Sequence, residues 1–387
     1  MQEPQSPNTR IAGEICAFRA GDALPLGRLM AKLDSEAQST RVHSAASTER
    51  VVTADKQYVW HPYTAMREYI DATRPLVVSR AQGSRLFDEN GRSYLDGNSS
   101  WWVASLGHAH PRLLRRLHEQ ADALCHVSLA GIAHEQAALL AEELITVAPA
   151  GLTRVFYSDD GTTAVEAALK MALQYWAQNG RPQRRRFLAL EGAFHGESIA
   201  VTSLGGIEII RRSVAGVMID CLRVPPGQAG QQVAFEQLST TLNEQQEEIA
   251  AVILEPMLQG VGGMRIHSAE YLKQARALTT TLDIFLICDE VFTGYGRTGP
   301  MWASEHANIT PDLMCLAKGF TAGMLPMAAT LASERIFEGF MPGRERAFLH
   351  GHSYCGHPLG AAVAREVLAI FREEQIVERA RPKARKI

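Results

Sequence analysis

Five stretches of the chain are apolar almost without interruption and end abruptly at a turn or a charge, near 154–158, 186–190, 251–255, 284–288 and 312–317. Runs this short, lacking the alternation of a half-solvated strand, predict buried strands of a parallel sheet covered on both faces. Between most of them apolar positions recur at helical spacing. In RVFYSDDGTTAVEAALKMALQYWAQNGRP, Val165, Ala168, Leu169, Ala172 and Trp176 mark one helix face. Thr163 and Glu166 there have capping-box spacing, and Gly180 with Pro182 closes the segment. The alternation predicts an α/β fold with a mostly parallel sheet flanked by helices.

Chemistry collects where these runs stop. Ile284 to Cys288 ends at Asp289, and Asp312 to Ala317 ends at Lys318. The two are either a structural ion pair, or an acid and an amine at neighbouring strand ends. In the second case they bind a pyridinium nitrogen and form a Schiff base, the contacts that pyridoxal 5'-phosphate (PLP) requires. Gly161 lets the backbone turn closely, and Thr162 adds a hydroxyl beside free amides at a helix N-terminus, which suits a phosphate; an ordinary strand-to-helix turn reads the same way. FLALEGAFHGES carries Phe194, a ring for a flat cofactor, and His195, while AAVILEPMLQGVGG ends at Glu255 with Gln259 beyond. Of the lysines Lys32, Lys56, Lys170, Lys273, Lys318, Lys383 and Lys386, only Lys318 follows a buried strand. Desolvation there lowers an amine's pKa and leaves it nucleophilic.

From Tyr58 the chain becomes dense in aromatic residues. YVWHPYTAM groups Trp60, His61 and Tyr63, and LDGNSSWWVASLGHAHP sets Trp101 beside Trp102. Neighbouring residues of a regular strand point to opposite faces, so one tryptophan is expected in a pocket or an interface. His108 and His110 have a His-x-His look, but no acid or cysteine stands at ligand spacing, and no metal is expected. At 387 residues and 46% hydrophobic content the chain can bury a large core. A net charge of -3 offers no basic surplus for nucleic acid or an anionic membrane, and no apolar run reaches the length of a span. Cys16, Cys125, Cys221, Cys288, Cys315 and Cys355 form no CxxC pair, which predicts a reducing, cytoplasmic setting without disulfides. The weakly periodic, Ser- and Gln-rich start predicts a disordered or non-native extension over 1–55, with too many acids for a mitochondrial presequence.

The ordered set DGNSSWW, SDDGTTAVEAALK, FHGES, ILEP, ICDEVFTGYGRTG, LAKGF and HGHSYCGHPLG resembles the class III aminotransferases of PLP fold type I. WHPYTAM and MALQYW extend the likeness to the branch that works in biotin biosynthesis. The resemblance implies that Lys318 holds PLP and moves the proton, that Asp289 keeps the ring nitrogen protonated, and that Gly161 and Thr162 bind the phosphate. It places His195 with the cofactor, Phe194 against the ring, and Tyr63, Trp101, Trp102, Arg297 and Gly351 around the substrate, and it counts Tyr63 with Lys318 and Asp289 among the catalytic residues. It brings His352 and Ser353 to the phosphate from the neighbouring subunit of a homodimer. The implied reaction passes the amino group of S-adenosylmethionine to 8-amino-7-oxononanoate.

The expected organisation is an N-terminal segment of a small domain over 56–105, a PLP-binding large domain over 106–350, and the start of a C-terminal domain over 351–387. Two departures stand out. Phe194 occupies a position that is usually tyrosine, and the sequence ends at RPKARKI, where the family continues into a domain carrying an arginine for the substrate carboxylate. An incomplete C-terminal domain is therefore expected. The alternatives are a class III enzyme acting on another ω-amino acid, and a chain with little or no activity.

Overall fold

The computed structural model describes residues 48–227 and 231–384. The expected extension over 1–55 lies outside these residues as far as 47. Residues 48–55 begin a helix, α1 (Thr48–Tyr58), which buries Val52. With α2 (Met66–Ala72) this helix belongs to a first compact unit, 48–79 and 87–92 among the described residues. Inside that unit the Asp55 carboxylate accepts from Tyr69 Oη at 2.6 Å and lies 3.0 Å from His61 Nε2. That bond to Asp55 pushes the Tyr69 phenol up to about 12.

The second unit, 80–86 and 93 onward, contains the large sheet. Its strands are β1 (Leu152–Ser158), β2 (Arg186–Leu190), β3 (Cys221–Val224), β4 (Ile249–Leu254), β5 (Phe285–Asp289), β6 (Leu313–Leu316) and β7 (Ala328–Ser333). They lie in the order β1-β7-β6-β5-β4-β2-β3. All pairs are parallel except those of β7, which runs antiparallel to both β6 and β1. The mostly parallel sheet expected from the apolar runs is present.

Successive residues of a strand face opposite sides, so each apolar run feeds two cores. Phe187, Ala251, Ile253, Phe285 and Ile287 pack on one face with α5, whereas Leu188, Val252, Leu254 and Leu286 pack on the other with α6 and α7. These helices are α5 (Gly161–Gln178), α6 (Gln231–Gln245) and α7 (Ala269–Thr281). A third cluster joins β1, β6 and β7 to α3 (Pro111–Ala123), α4 (Glu135–Val147) and α8 (Pro358–Glu373). Burying both faces is what allows the strands to be short and uniformly apolar.

The expected cap of α5 is corrected. Asp160, not Thr163, is the N-cap: its side chain accepts from the Thr163 amide at 2.9 Å, and Thr163 Oγ1 accepts from the Asp160 amide at 3.1 Å. Glu166 instead accepts from Ser198 Oγ at 2.5 Å. The box lies three residues earlier than the spacing suggested because Asp and Thr both serve at N-caps, and only the backbone decides between them. No helix among the described residues is long and apolar enough to cross a membrane, and the five described cysteines are free.

Candidate active site

The site forms at the carboxyl ends of β1, β2, β4, β5 and β6, where a parallel sheet gathers the loops that follow its strands. Asp289 closes β5 opposite Cys315 of β6, three residues before Lys318. The Asp289 carboxylate is buried; Oδ2 lies 2.7 Å from His195 Nδ1, and Oδ1 accepts from the Val291 amide at 3.1 Å. His195 therefore fixes the carboxylate's orientation, while its own Nε2 has no partner among the described residues.

Two close approaches bring the N-terminus of α5 to this pair. A Cβ on Gly161 would stand 2.6 Å from Val291 Cγ1, and one on Gly196 would stand 2.4 Å from Thr162 Oγ1. Any side chain at 161 would push the turn off Val291. The Asp160 cap satisfies the Thr163 amide, leaving the Gly161 and Thr162 amides without an intrahelical acceptor. Such a terminus attracts an anion.

Glu255, just beyond β4, ties two loops together: its carboxylate accepts from the Phe194 amide at 3.0 Å and the Gly260 amide at 2.8 Å. Burial pushes this carboxyl up to about 7; His195 and the two amides oppose the rise and Asp289 adds to it. An acid whose pKa is higher folded than unfolded binds more protons when folded, so its contribution to stability falls as pH rises from the ordinary carboxyl range through about 7. Glu255→Gln abolishes that dependence. The variant's melting temperature relative to the parent is expected to be higher at about pH 8 than at about pH 5. A pH-independent difference would show that Glu255 titrates normally.

Lys318 has a left-handed backbone, φ 51°. Burial lowers its pKa; Asp289 and Glu255 oppose this, and Arg297 reinforces it. Its Nζ lies 5.7 Å from the centroid of the Trp102 ring, and that ring meets Phe292 edge-on at 5.0 Å. Trp102 ends a left-handed turn in which Ser99, Ser100, Trp101 and Trp102 have φ of 52°, 49°, 62° and 65°. Each non-glycine residue in that conformation costs about 1–2 kcal/mol. The pair lies in this turn and not in a strand, so strand alternation does not set its rings; Trp102 borders Lys318 and Trp101 is 53% exposed.

Arg297, expected at the substrate, donates from Nε to the Phe292 carbonyl at 2.6 Å and from Nη2 to the Trp102 carbonyl at 2.7 Å. Gly351, His352 and Ser353 lie on an exposed segment, where His352 Nε2 is 3.4 Å from Asp159 beside the α5 turn. Phe194 is half-buried. Tyr63 belongs to the first unit and is 63% exposed. Of the two histidines considered for a metal, His108 pairs with Asp96 at 2.7 Å.

These residues fit PLP. The α5 amides suit its phosphate, Asp289 its ring nitrogen and Lys318 its carbonyl. The fully buried Gln259 has an unpartnered Oε1, an acceptor for the ring hydroxyl. Gln259 Nε2 is anchored on the Glu191 carbonyl at 3.0 Å, so its free oxygen is directed and not a rotamer accident. Gln259 and Glu255 were visible in sequence, but their tasks depend on which loops they join.

The class-III aminotransferase family matches residues 68–387. Adenosylmethionine-8-amino-7-oxononanoate aminotransferases of Nitratidesulfovibrio vulgaris and Aquifex aeolicus are each 38% identical to the chain, over 89% and 85% of its length and 66% and 75% of theirs. The chain thus spans about two thirds to three quarters of these relatives. The crystal structure of the Methanocaldococcus jannaschii protein of the same name superposes with a TM-score of 0.84 at 34% identity, covering 87% of this chain and 78% of that one. An ω-transaminase of Pseudomonas jessenii, solved in complex with PMP, gives a TM-score of 0.81 at 31% identity, covering 85% and 76%. This chain belongs to the class-III aminotransferases, a PLP-dependent family.

Proposed function

We propose that the protein transfers the amino group of S-adenosylmethionine to 8-amino-7-oxononanoate, giving 7,8-diaminononanoate for biotin synthesis. The observation that carries the reading is the gathering of the α5 turn, through Val291 and Gly196, beside Asp289 and His195, with Asp289 paired to β6 three residues before Lys318. The names of the relatives supply the substrates.

When bound, PLP supplies an electron-poor ring that stabilises negative charge at the carbon losing its proton. Lys318, its pKa lowered by burial, would hold the cofactor's carbonyl and serve as the proton carrier beside it. Asp289, oriented by His195, holds a proton at the ring nitrogen. The Gly161 and Thr162 amides hold the phosphate. Phe194 would lie against the ring, and Trp102 would exclude water beside the amine. Trp101, Arg297 and Gly351 meet the substrate. In a homodimer, His352 and Ser353 of each chain serve the phosphate of the other.

The test is to load the protein with PLP, follow the cofactor's visible absorbance, and add S-adenosylmethionine or a small ω-amine. Bleaching by S-adenosylmethionine alone, with 8-amino-7-oxononanoate restoring the band, is the expected result. Bleaching by the ω-amine alone assigns the chain to the ω-transaminase reaction instead. Phe194→Tyr adds a hydroxyl while keeping the stacking surface. It is expected to leave cofactor affinity unchanged and to improve substrate handling; unchanged turnover and KM would remove Phe194 from the substrate site.

A further inference from the structure

We propose that Asp96 and His108 are positioning residues for transamination: together they hold the left-handed turn Ser99–Trp102 and so set the Trp102 indole against the Lys318 amine. The proposal rests on the reading of Lys318 given above.

Four consecutive non-glycine residues with φ between 49° and 65° do not persist without something holding them. The turn's own bonds, from the Trp102 amide to the Asn98 carbonyl at 2.8 Å and the Val103 amide to the Ser99 carbonyl at 3.0 Å, close it but do not select its hand. Two side chains add to this hold: Asn98 Oδ1 accepts from the Trp101 amide at a long 3.4 Å, and Asp96 makes the closer bonds. Its Oδ1 accepts from the Ser100 amide at 3.0 Å, and its Oδ2 accepts from Ser100 Oγ at 2.8 Å and lies 2.7 Å from His108 Nε2. The carboxylate is only 6% exposed, so these are sheltered, charge-assisted bonds.

His108 is itself fixed, because its backbone exchanges hydrogen bonds with Gly83 in both directions, at 3.0 and 2.8 Å. The far end of the turn is held by Arg297 on the Trp102 carbonyl. No polar atom of Asp96 or His108 bonds the Trp102 side chain or Lys318 in this network; they act through the backbone of Ser100. A carboxylate that fixes a strained turn, and a turn whose last ring borders the reactive amine, form one device.

The test uses the PLP-loaded protein labelled with 5-fluorotryptophan, the Trp102 resonance being assigned with Trp102→Phe. Asp96→Asn replaces an acceptor of several donors with an amide that accepts at one oxygen only. It is expected to shift and broaden the Trp102 fluorine resonance and to raise KM about tenfold with a smaller change in kcat. His108→Gln gives the same pattern more weakly. Ser100→Gly keeps the amide that Asp96 binds and removes the steric opposition to positive φ. Added to Asp96→Asn, it is expected to restore both the resonance and KM to within about twofold.

An Asp96→Asn protein with an unmoved resonance and unchanged KM overturns the proposal. So does a double variant that remains displaced, since that outcome assigns Asp96 a general structural role. The fluorine signal needs no substrate, so a protein inactive with the proposed substrates would count against the proposed function and leave this test standing.

Discussion

A Lys318→Ala protein is expected to lose transamination by at least about 10⁴-fold while folding normally. Lys170 of α5 is engaged with His350 at 3.0 Å, and Lys273 of α7 is exposed. General acid–base transfer by a positioned group contributes about 10²–10⁴ on its own, and loss of the amine that anchors the cofactor's carbonyl adds to it. Folding should be nearly unaffected. Burial already disfavours the charged amine, and alanine meets the same left-handed backbone that lysine does. The check is single-turnover loss of the cofactor absorbance together with the melting temperature. Methylamine, small enough to enter the vacated space, should recover part of the rate. Residual activity within about 100-fold of the parent would remove Lys318 from the proton transfer.

Glu290→Ala is expected to destabilise the fold by about 3–5 kcal/mol. Glu290 is fully buried, and its carboxylate accepts from Thr293 Oγ1 at 2.6 Å, the Ala303 amide at 3.0 Å and the Ser304 amide at 2.8 Å. Burial raises its pKa, while these donors pull the other way. Removing it strands three buried donors and leaves a cavity behind β5. The loop it fastens, between Asp289 and Ala303, carries Phe292 and Arg297, so activity should fall with stability. Glu290→Gln, keeping one acceptor oxygen, should fall between parent and alanine variant. Urea unfolding gives the comparison; a loss below about 1 kcal/mol would mean that the loop is anchored elsewhere.

The sheet was legible because its central strands are buried on both faces, and continuous apolar runs are a strong signal. Two strands escaped notice for physical reasons. Cys221–Val224 is a four-residue edge strand, mostly half-buried, and carries Arg223. Ala328–Ser333 is rich in alanine, which has little preference for strands, and it reads as a link after Lys318. Asp289, Lys318 and the α5 turn stood out since each pairs a chemical group with an abrupt end of an element. The left-handed Ser99–Trp102 turn did not, because nothing in the identities of serine and tryptophan announces positive φ. Nor did the tasks of Glu255, Gln259 and Glu290. A lone acid or amide at a strand end acquires its meaning only from the loops that fold back onto it.

The position of β1 also sets the order in which the protein can be assembled. Among the described residues β1 is an edge strand paired with β7, joining Ser158 to Ala328, so the α5 turn hangs on a contact between distant parts of the chain. Such non-local pairing is slow, and on a ribosome β1 and α5 emerge long before their partner strand exists. The anion site is thus among the last parts to form, and refolding in the presence of PLP should accelerate recovery only after β7 has docked.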